Sequence, residues 1–84
     1  MKYAVTGHTY GIGEALYNRM GGLGFSKSTG YDIRDTKARQ SIIDACQDVD
    51  VFVNNAPADF GQSQLLLELW ESWRNQDKTI INVI

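Results

Sequence analysis

The residues with the clearest capacity for chemistry form a glycine-rich turn, residues 6–13, with the sequence Thr-Gly-His-Thr-Tyr-Gly-Ile-Gly. This turn follows a β-prone run and precedes residues 12–20, whose apolar side chains recur at helical spacing. In such a turn Gly7 permits a tight exit from the strand, and Gly11 lets the backbone approach a pyrophosphate. Gly13 lets the helix pack closely on the strand, and the helix N-terminus offers unpaired N–H groups to the phosphates. The segment predicts a phosphate-binding turn, with a bland glycine-rich loop as the alternative.

Few other side chains have the types and spacing of a reactive centre. His8 lies in the turn and is expected to be exposed to solvent, whereas Cys46 lies on an apolar helical stripe and is expected in the core. Asp48 and Asp50 flank the start of a strand and are interpreted as turn residues. A single cysteine forms no internal disulfide and has no second soft ligand beside it. We therefore predict no catalytic side chain and no metal site.

Strand-like and helix-like runs alternate along the chain. Strands are predicted at residues 2–6, 25–29, 49–53 and 79–84, and helices at 12–20, from Asp35 or Thr36 to Cys46, and from Ser63 to about Gln76. Alternation at this spacing implies parallel strands joined by helical crossovers. The predicted fold class is α/β, a three-layer sandwich of about four parallel strands and three helices.

Two of these helices carry apolar stripes that are expected to face the sheet. The stripe of the second helix consists of Ala38, Ile42, Ala45 and Cys46, and that of the third of Leu66, Leu69, Trp70 and Trp73. Leu65 and Leu67 then point elsewhere, so the third helix is either broadly core-facing or a self-association surface. We expect a homo-oligomer that forms through the Leu65–Trp73 helix or through a bare sheet edge.

Composition limits the class of protein. The 84 residues are 43% hydrophobic and 21% charged, which is typical of one ordered globular domain and excludes a disordered chain. A net charge of −2 argues against a nucleic-acid partner. The N-terminal run reaches Gly7 without a signal-peptide core, and no apolar run, Leu65–Leu67 included, exceeds three residues, which is too short to span a bilayer. We therefore expect a cytoplasmic protein without a membrane partner.

Three motifs, in order, resemble those of the short-chain dehydrogenase/reductase family. The turn 6–13 is similar to its Thr-Gly-x-x-x-Gly-x-Gly cofactor motif, and residues 32–35, Asp-Ile-Arg-Asp, to its adenine-contacting Asp-hydrophobic-x-Asp element. Residues 53–56, Val-Asn-Asn-Ala, resemble its Asn-Asn-Ala-Gly element, although Pro57 stands where the glycine usually is. Residues 79–84 resemble the strand that leads to the catalytic serine. The resemblance implies a minimal Rossmann-like fold and a dinucleotide partner, with NAD or NADP as the cofactor.

The resemblance also implies a set of contact residues. The pyrophosphate and ribose would be lined by Thr6, Gly7, Thr9, Tyr10, Gly11, Ile12 and Gly13. Asp32 would accept from the adenine amino group, with Ile33 stacking or donating its N–H nearby. The ribose and nicotinamide would lie along Asn54, Asn55 and Ala56. From the residues alone, Asp32 and Asp35 can instead form a turn and a helix cap, and Asn54 a hydrogen bond that organises the sheet.

The choice between NAD and NADP stays open at this point. The interval between Gly24 and Asp32 is much shorter than in the family, so the residue that reads the ribose 2′ position is hard to place. Asp32 lies about 20 residues past the glycine turn and could accept from a 2′-hydroxyl. Alternatively, Lys27 and Ser28 could meet a 2′-phosphate.

The family's catalytic serine and Tyr-x-x-x-Lys pair would follow beyond Ile84, and no tyrosine of this chain has a lysine four residues later. We therefore expect residues 1–84 to form a single truncated dinucleotide-binding domain that does not turn over substrate alone. The alternatives are an oxidoreductase completed by oligomerisation or a partner chain, a non-binding structural or regulatory remnant, and a piece of a longer enzyme.

Overall fold

The backbone alternates strands and helices as the sequence predicts. The structure is a computed structural model that describes residues 1–9, 11–55 and 60–83, with only the backbone described at Phe60. The elements are β1 (Tyr3–Thr6), α1 (Gly11–Met20), β2 (Leu23–Phe25), a 3-10 helix (Lys27–Thr29), α2 (Thr36–Ala45), β3 (Val51–Asn54), α3 (Phe60–Trp73) and β4 (Thr79–Asn82). None of the helices within these residues is both long enough and apolar enough to cross a membrane.

The strands form one parallel sheet in the order β2-β1-β3-β4. Ala4 of β1 pairs with Leu23 on one side and with Phe52 on the other, and Phe52 pairs in turn with Ile80 of β4. The chain moves from β1 to one side for β2 and then returns across β1 for β3. The direction of winding therefore reverses between β1 and β3. The predicted α/β fold of four parallel strands and three helices is confirmed for the described residues.

Helices α2 and α3 pack against one face of the sheet, and the main apolar core lies between these helices and the sheet. Its buried members are Ala4, Phe25, Ile33, Ile42, Ile43, Cys46, Val49, Phe52, Leu65, Leu69 and Trp73. The rings of Phe52 and Trp73 meet edge to face with their centroids 6.0 Å apart. Successive residues of a strand point to opposite faces, so Val5 and Val53, also buried, lie on the other face of the sheet.

A buried arginine joins the two helices of that layer to the loop before α2. Arg39 donates from Nε to the carboxylate of Glu68 in α3 at 2.8 Å and from a terminal nitrogen to the carbonyl oxygen of Ile33 at 3.0 Å. Its other terminal nitrogen donates to the hydroxyl of Thr36 at 3.1 Å. All of its nitrogens thus have partners, as a guanidinium withdrawn from water requires. The loop that carries Ile33 is thereby fixed against α2 and α3.

The second strand begins earlier than predicted. It covers Leu23–Phe25, and the expected continuation to Thr29 is instead a 3-10 helix. Ser26 and Thr29 close this turn, because the Thr29 hydroxyl accepts from the N–H of Ser26 at 3.1 Å and also donates to its carbonyl oxygen. Such side-chain hydrogen bonds compete with strand pairing, which explains why the strand ends at Phe25. For the next helix, the predicted cap is confirmed at Asp35, which accepts from the N–H of Lys37.

The buried stripe of α3 also differs from the prediction. Leu65, Leu69 and Trp73 are buried, whereas Trp70 is 54% exposed and lies beneath the guanidinium of Arg74. Successive residues of a helix are rotated by about 100° around its axis, so residues four apart lie on the same narrow face of the helix. The row that includes Trp73, which packs on Phe52, therefore contains Leu65 and excludes Trp70. In α2, similarly, Ile43 is buried and Ala45 is exposed.

The alanine substitution Leu69→Ala should destabilise the fold by about 2–5 kcal/mol, because it leaves a cavity in the α3 core contact. Leu67→Ala removes the same atoms from an exposed position of the same helix, 55% accessible, and should change stability by less than about 0.5 kcal/mol. Denaturant unfolding of the two variants measures the difference. Equal losses would show that the helix is rotated from the position described.

Cys46 should be protected from thiol reagents in the folded protein. Its side chain is fully buried, as predicted, and burial raises the pKa of the thiol to about 12. The unfolded thiol ionises near its ordinary pKa, so the free energy of unfolding should fall as the pH rises above about 9. Labelling by a maleimide at pH 8 should require denaturant. In Cys46→Ala the free energy of unfolding should fall less steeply at alkaline pH, because the contribution of the thiol is absent. Rapid labelling of the native chain would contradict the burial of Cys46.

Candidate functional site

The carboxyl ends of β1 and β3 lie side by side where the winding reverses, and open α/β sheets bind their ligands at such a point. Thr6, the last residue of β1, is fully buried. Its hydroxyl accepts from the N–H of Asn55 at 3.0 Å and donates to the carbonyl oxygen of Val53 at 3.5 Å. The two strand ends are therefore joined side by side through one threonine. Its predicted role beside a pyrophosphate stays a prediction.

Each of the three glycines in the turn has a different physical role. Gly7 has a φ of 72°, in the left-handed region, and its N–H donates to the carbonyl oxygen of Phe25 at 2.7 Å. A Cβ at Gly13 would lie 1.9 Å from the carbonyl oxygen of Gly7 and 2.5 Å from Nδ2 of Asn55, so only glycine lets α1 pack on this turn. A Cβ at Gly11, where φ is 60°, would meet no described atom within 4 Å.

Among the described residues, no atom fills the space in front of Gly11. Gly11 begins α1, so the first N–H groups of that helix have no partner within it and the positive end of its dipole lies there. Thr9 and Ile12 beside it are exposed, Ile12 to 64%. Backbone N–H groups around a left-handed glycine form a concavity that suits an anion. The predicted contact Tyr10 lies outside the described residues.

Asn54 holds the neighbouring strand end together, as the sheet-organising alternative anticipated. Its side chain is fully buried, and Nδ2 donates to the carbonyl oxygen of Gln62 and to Oδ1 of Asn82, each at 3.0 Å. Gln62 in turn donates from Nε2 to the carbonyl oxygens of Asn54 and Val83. The cluster ties β3, β4 and the start of α3. Neither Gln62 nor Asn82 was singled out in the sequence, because an isolated carboxamide carries no spacing signal.

Asn55 points toward the glycine turn. Its Nδ2 lies 3.4 Å from the carbonyl oxygen of Gly7, to which it donates. Together with the bond from its N–H to Thr6, this contact holds the loop after β3 against the turn after β1. The structure thus brings the first and third motifs into direct contact. The predicted contact Ala56 lies outside the described residues.

His8 is half-buried, so the expected solvent-exposed position is wrong. Its ring packs edge to face on Tyr17 of α1, with centroids 4.8 Å apart. A Cβ at Gly24 of β2 would come within 2.4 Å of the same ring, so the absence of a side chain there makes room for it. Its Nδ1 is buried with no partner among the described residues. His8 is therefore a packing residue between α1 and β2.

The Asp32-Ile33 segment reaches the same end of the sheet. A Cβ at Gly61, in the first turn of α3, would come within 2.7 Å of the carbonyl oxygen of Ile33. The side chain of Ile33 is 3% exposed within the core, so it is not available for the predicted stacking on adenine. Asp32 is paired with Arg34, which donates from Nε at 3.0 Å and from a terminal nitrogen at 2.8 Å. These bonds hold the pKa of Asp32 well below its usual range.

In residues 1–9, 11–55 and 60–83, no group of three or more His, Cys, Asp or Glu side chains is placed so that it could hold a metal ion.

A cavity of about 400 Å³ lies at the opposite end of the sheet, lined in part by Met1, Tyr3, Leu23 and Val49. It is remote from the carboxyl ends of the strands, and none of the predicted contact residues lines it.

Comparison with known proteins yields no relative: no family model, no curated protein and no solved structure matches this chain. The site is therefore interpreted from its own geometry.

Gly13→Ala tests the contact between α1 and the turn. Alanine is the better helix former by about 1 kcal/mol, but its Cβ would overlap the carbonyl oxygen of Gly7. We expect a net loss of about 1–3 kcal/mol in the free energy of unfolding. Asn18→Ala, at an exposed position of the same helix, should be neutral or slightly stabilising. If thermal and denaturant unfolding found Gly13→Ala as stable as the parent, the close approach would be wrong.

Proposed function

We propose that this chain is a dinucleotide-binding domain of the short-chain dehydrogenase/reductase type, which binds NAD or NADP at the carboxyl edge of its sheet. The observation that carries the proposal is the open N-terminus of α1 beside the winding reversal. There Gly11 leaves space for a phosphate, while Gly7 and Gly13 hold the helix against the strand. Phosphates bind at such helix ends because N–H groups and the helix dipole both favour negative charge.

The other contacts of the proposed site follow the same edge. The pyrophosphate would lie on the turn between Thr9 and Gly13, with the adenosine toward β2 and the backbone of Ile33, and the nicotinamide toward Asn55. Thr6 and Asn54 would act from beneath by fixing the strand ends. When bound, a nicotinamide cofactor supplies hydride transfer. The side chains of this domain would bind and orient the cofactor. Proton transfer would need other groups.

Self-association also stays a proposal. Its apolar surface would consist of Leu67 and Trp70 on α3 and Ile81 on β4, which are between 47% and 55% exposed. Leu65, Leu69 and Trp73 are excluded from such a surface because they are buried in the core. A second copy or a partner chain would be the source of the missing catalytic groups if the domain belongs to an oxidoreductase. A cytoplasmic location is part of the same proposal.

A pair of glycine variants tests the binding site. Gly11→Val should weaken binding of NAD, NADP and ADP by at least about tenfold, because its side chain enters the space proposed for the phosphate. Gly21→Val is the matched control: φ at Gly21 is 70°, a Cβ there also meets no described atom within 4 Å, and it lies at the other end of α1. Both variants carry the same backbone strain, so unfolding measurements should give similar losses of stability.

Isothermal titration calorimetry of the 84-residue chain measures these affinities. The proposal expects heat and a thermal shift with the parent and with Gly21→Val, and weak or no binding with Gly11→Val. Binding by Gly11→Val equal to that of the parent would show that the turn is not the site. No heat from the parent at millimolar ligand would instead favour a structural or regulatory remnant that has lost its ligand.

A further inference from the structure

The strand β4 lies at one edge of the sheet and presents open backbone groups on its outer side. It pairs with β3 alone among the described strands. The N–H groups of Thr79 and Val83 donate toward the β3 side. Backbone groups alternate in direction along a strand, so the N–H and C=O groups of Ile80 and Asn82 point away from β3. They face the outer side of the sheet, where no described strand lies.

The sequence of β4 does not protect this edge from pairing. Edge strands are usually protected by a charged side chain, a proline or a bulge. β4 has the sequence Thr-Ile-Ile-Asn in a regular register and includes none of these. Lys78, just before it, is held inward, because its Nζ donates to the carbonyl oxygens of Gln47 and Val49 and lies 4.9 Å from the ring centroid of Trp73. The edge is therefore free to accept another strand.

An apolar flank of α3 runs beside this edge. Glu68 binds Arg39 of α2, which marks the flank of α3 that faces α2. At about 100° per residue, Leu66 and Trp70 lie on the opposite flank. Since α3 joins β3 to β4, that flank lies on the side of the edge strand. Trp70 is 54% exposed and Leu66 is half-buried. These two residues and residues 79–82 form a strip without a charged side chain, here called the edge strip.

The open groups of β4 are complementary to those of a second β4. If two copies pair antiparallel about a two-fold axis at Ile81, then Ile80 of each copy lies opposite Asn82 of the other. Opposite residues of this kind exchange both hydrogen bonds, so every outward N–H and C=O group of β4 gains a partner. The two Ile81 side chains, each 47% exposed in the single chain, meet between these pairs. A shift by two residues in either direction places Ile80 or Asn82 opposite a residue outside β4.

The same arrangement brings the two α3 helices together. A helix that joins adjacent parallel strands lies over them. With strands about 4.8 Å apart, the two α3 axes would therefore lie roughly 10 Å apart, close to the distance of about 8–10 Å between packed helices. The flanks with Leu66 and Trp70 then face each other. Because the edge strip is uncharged, two copies of it meet without like-charge repulsion, whereas a charged partner would find no group to pair with. These features favour a second copy of the chain as the occupant.

We infer that two copies of this chain associate through the edge strip, with β4 antiparallel to β4 of the second copy and the two-fold axis at Ile81. The dimer has one continuous sheet with four strands from each copy. The inference rests on the self-association proposed above and specifies its surface, in which Trp70 and Ile81 take part and Leu67 does not. It does not require dinucleotide binding. The two halves of the sheet run antiparallel, so the two proposed dinucleotide sites lie at opposite ends of the dimer.

Sedimentation velocity of the 84-residue chain tests the association. The interface belongs to the small class, below about 1,200 Å² in total, so the dimer should form between roughly 10 μM and 1 mM. Ile81→Lys places two like charges opposite each other at the axis and should weaken association at least about tenfold. Leu23→Lys is the matched control, because it adds the same charge to β2, the other edge strand, at a position that is 39% exposed. It should dimerise like the parent.

A parent that stays monomeric up to about 1 mM, a concentration at which even weak specific dimers form, would overturn the inference. An equal loss of association in Leu23→Lys and Ile81→Lys would reveal a general charge effect and would also overturn it. Loss in Leu23→Lys alone would place the interface at β2. Thermal unfolding of each variant verifies that it is folded.

Cysteine cross-linking tests the register without adding charge. In Ile81→Cys the two Cα atoms should lie about 4.5 Å apart, within the range of a disulfide, so oxidised glutathione should link the copies. Thr79→Cys is the control: it is exposed on the same face of the same strand but should lie about 13 Å from its counterpart. Cys46 is buried and should stay unlinked in both. Failure of Ile81→Cys to link, or equal linking of Thr79→Cys, would overturn the register.

Nucleotide titration separates this inference from the proposed function. Ile81→Lys should bind NAD and NADP as tightly as the parent, because the proposed site lies at the carboxyl ends of β1 and β3. A parent that dimerises but binds no nucleotide would overturn the proposed dinucleotide site and support the edge-strip dimer. A parent that binds nucleotide but stays monomeric would overturn the dimer alone.

Discussion

The close approach of α1 to the end of β1 governs the whole carboxyl edge of this sheet. It exists because residue 13 has no side chain: a methyl group there would overlap the carbonyl oxygen of Gly7. With that approach, the N-terminus of α1 lies directly over the switch between β1 and β3. Asn55 then reaches the same carbonyl oxygen from the other strand. One pair of glycines thus sets where the helix dipole points and which loops surround it.

Most polar side chains at this edge bind the protein itself. Thr6 links β1 to β3, and Asn54 and Gln62 link β3 to β4 and α3. Buried polar groups require such partners, because an unpaired one costs free energy comparable to that of a lost hydrogen bond. A ligand at the proposed site would therefore be met largely by backbone N–H groups. The second layer of side chains would act by keeping that backbone in place.

In the loop after β2, a local hydrogen-bond pattern determines which side chains lie at the strand end. The bonds between Ser26 and Thr29 end the strand at Phe25 and turn the chain out of the sheet. This places a lysine and hydroxyls, rather than an acid, at the strand end. Asp32, the acid closest in sequence, is shifted into a separate turn and neutralised by Arg34.

The sequence by itself determined the order of strands and helices, their parallel pairing, the position of the glycine turn, a helix cap at Asp35 or Thr36, and the burial of Cys46. These follow from local spacing and from the residue types that turns and caps require. Only the tertiary structure decided which row of α3 is buried, because Leu65 and Trp70 are equally apolar by type and the contact of Trp73 with Phe52 selects between them. It also decided that β2 ends before Ser26, that His8 packs in the space left by Gly24, and that Asn54, Gln62 and Asn82 meet. Those outcomes depend on contacts between distant parts of the chain, which no local pattern specifies.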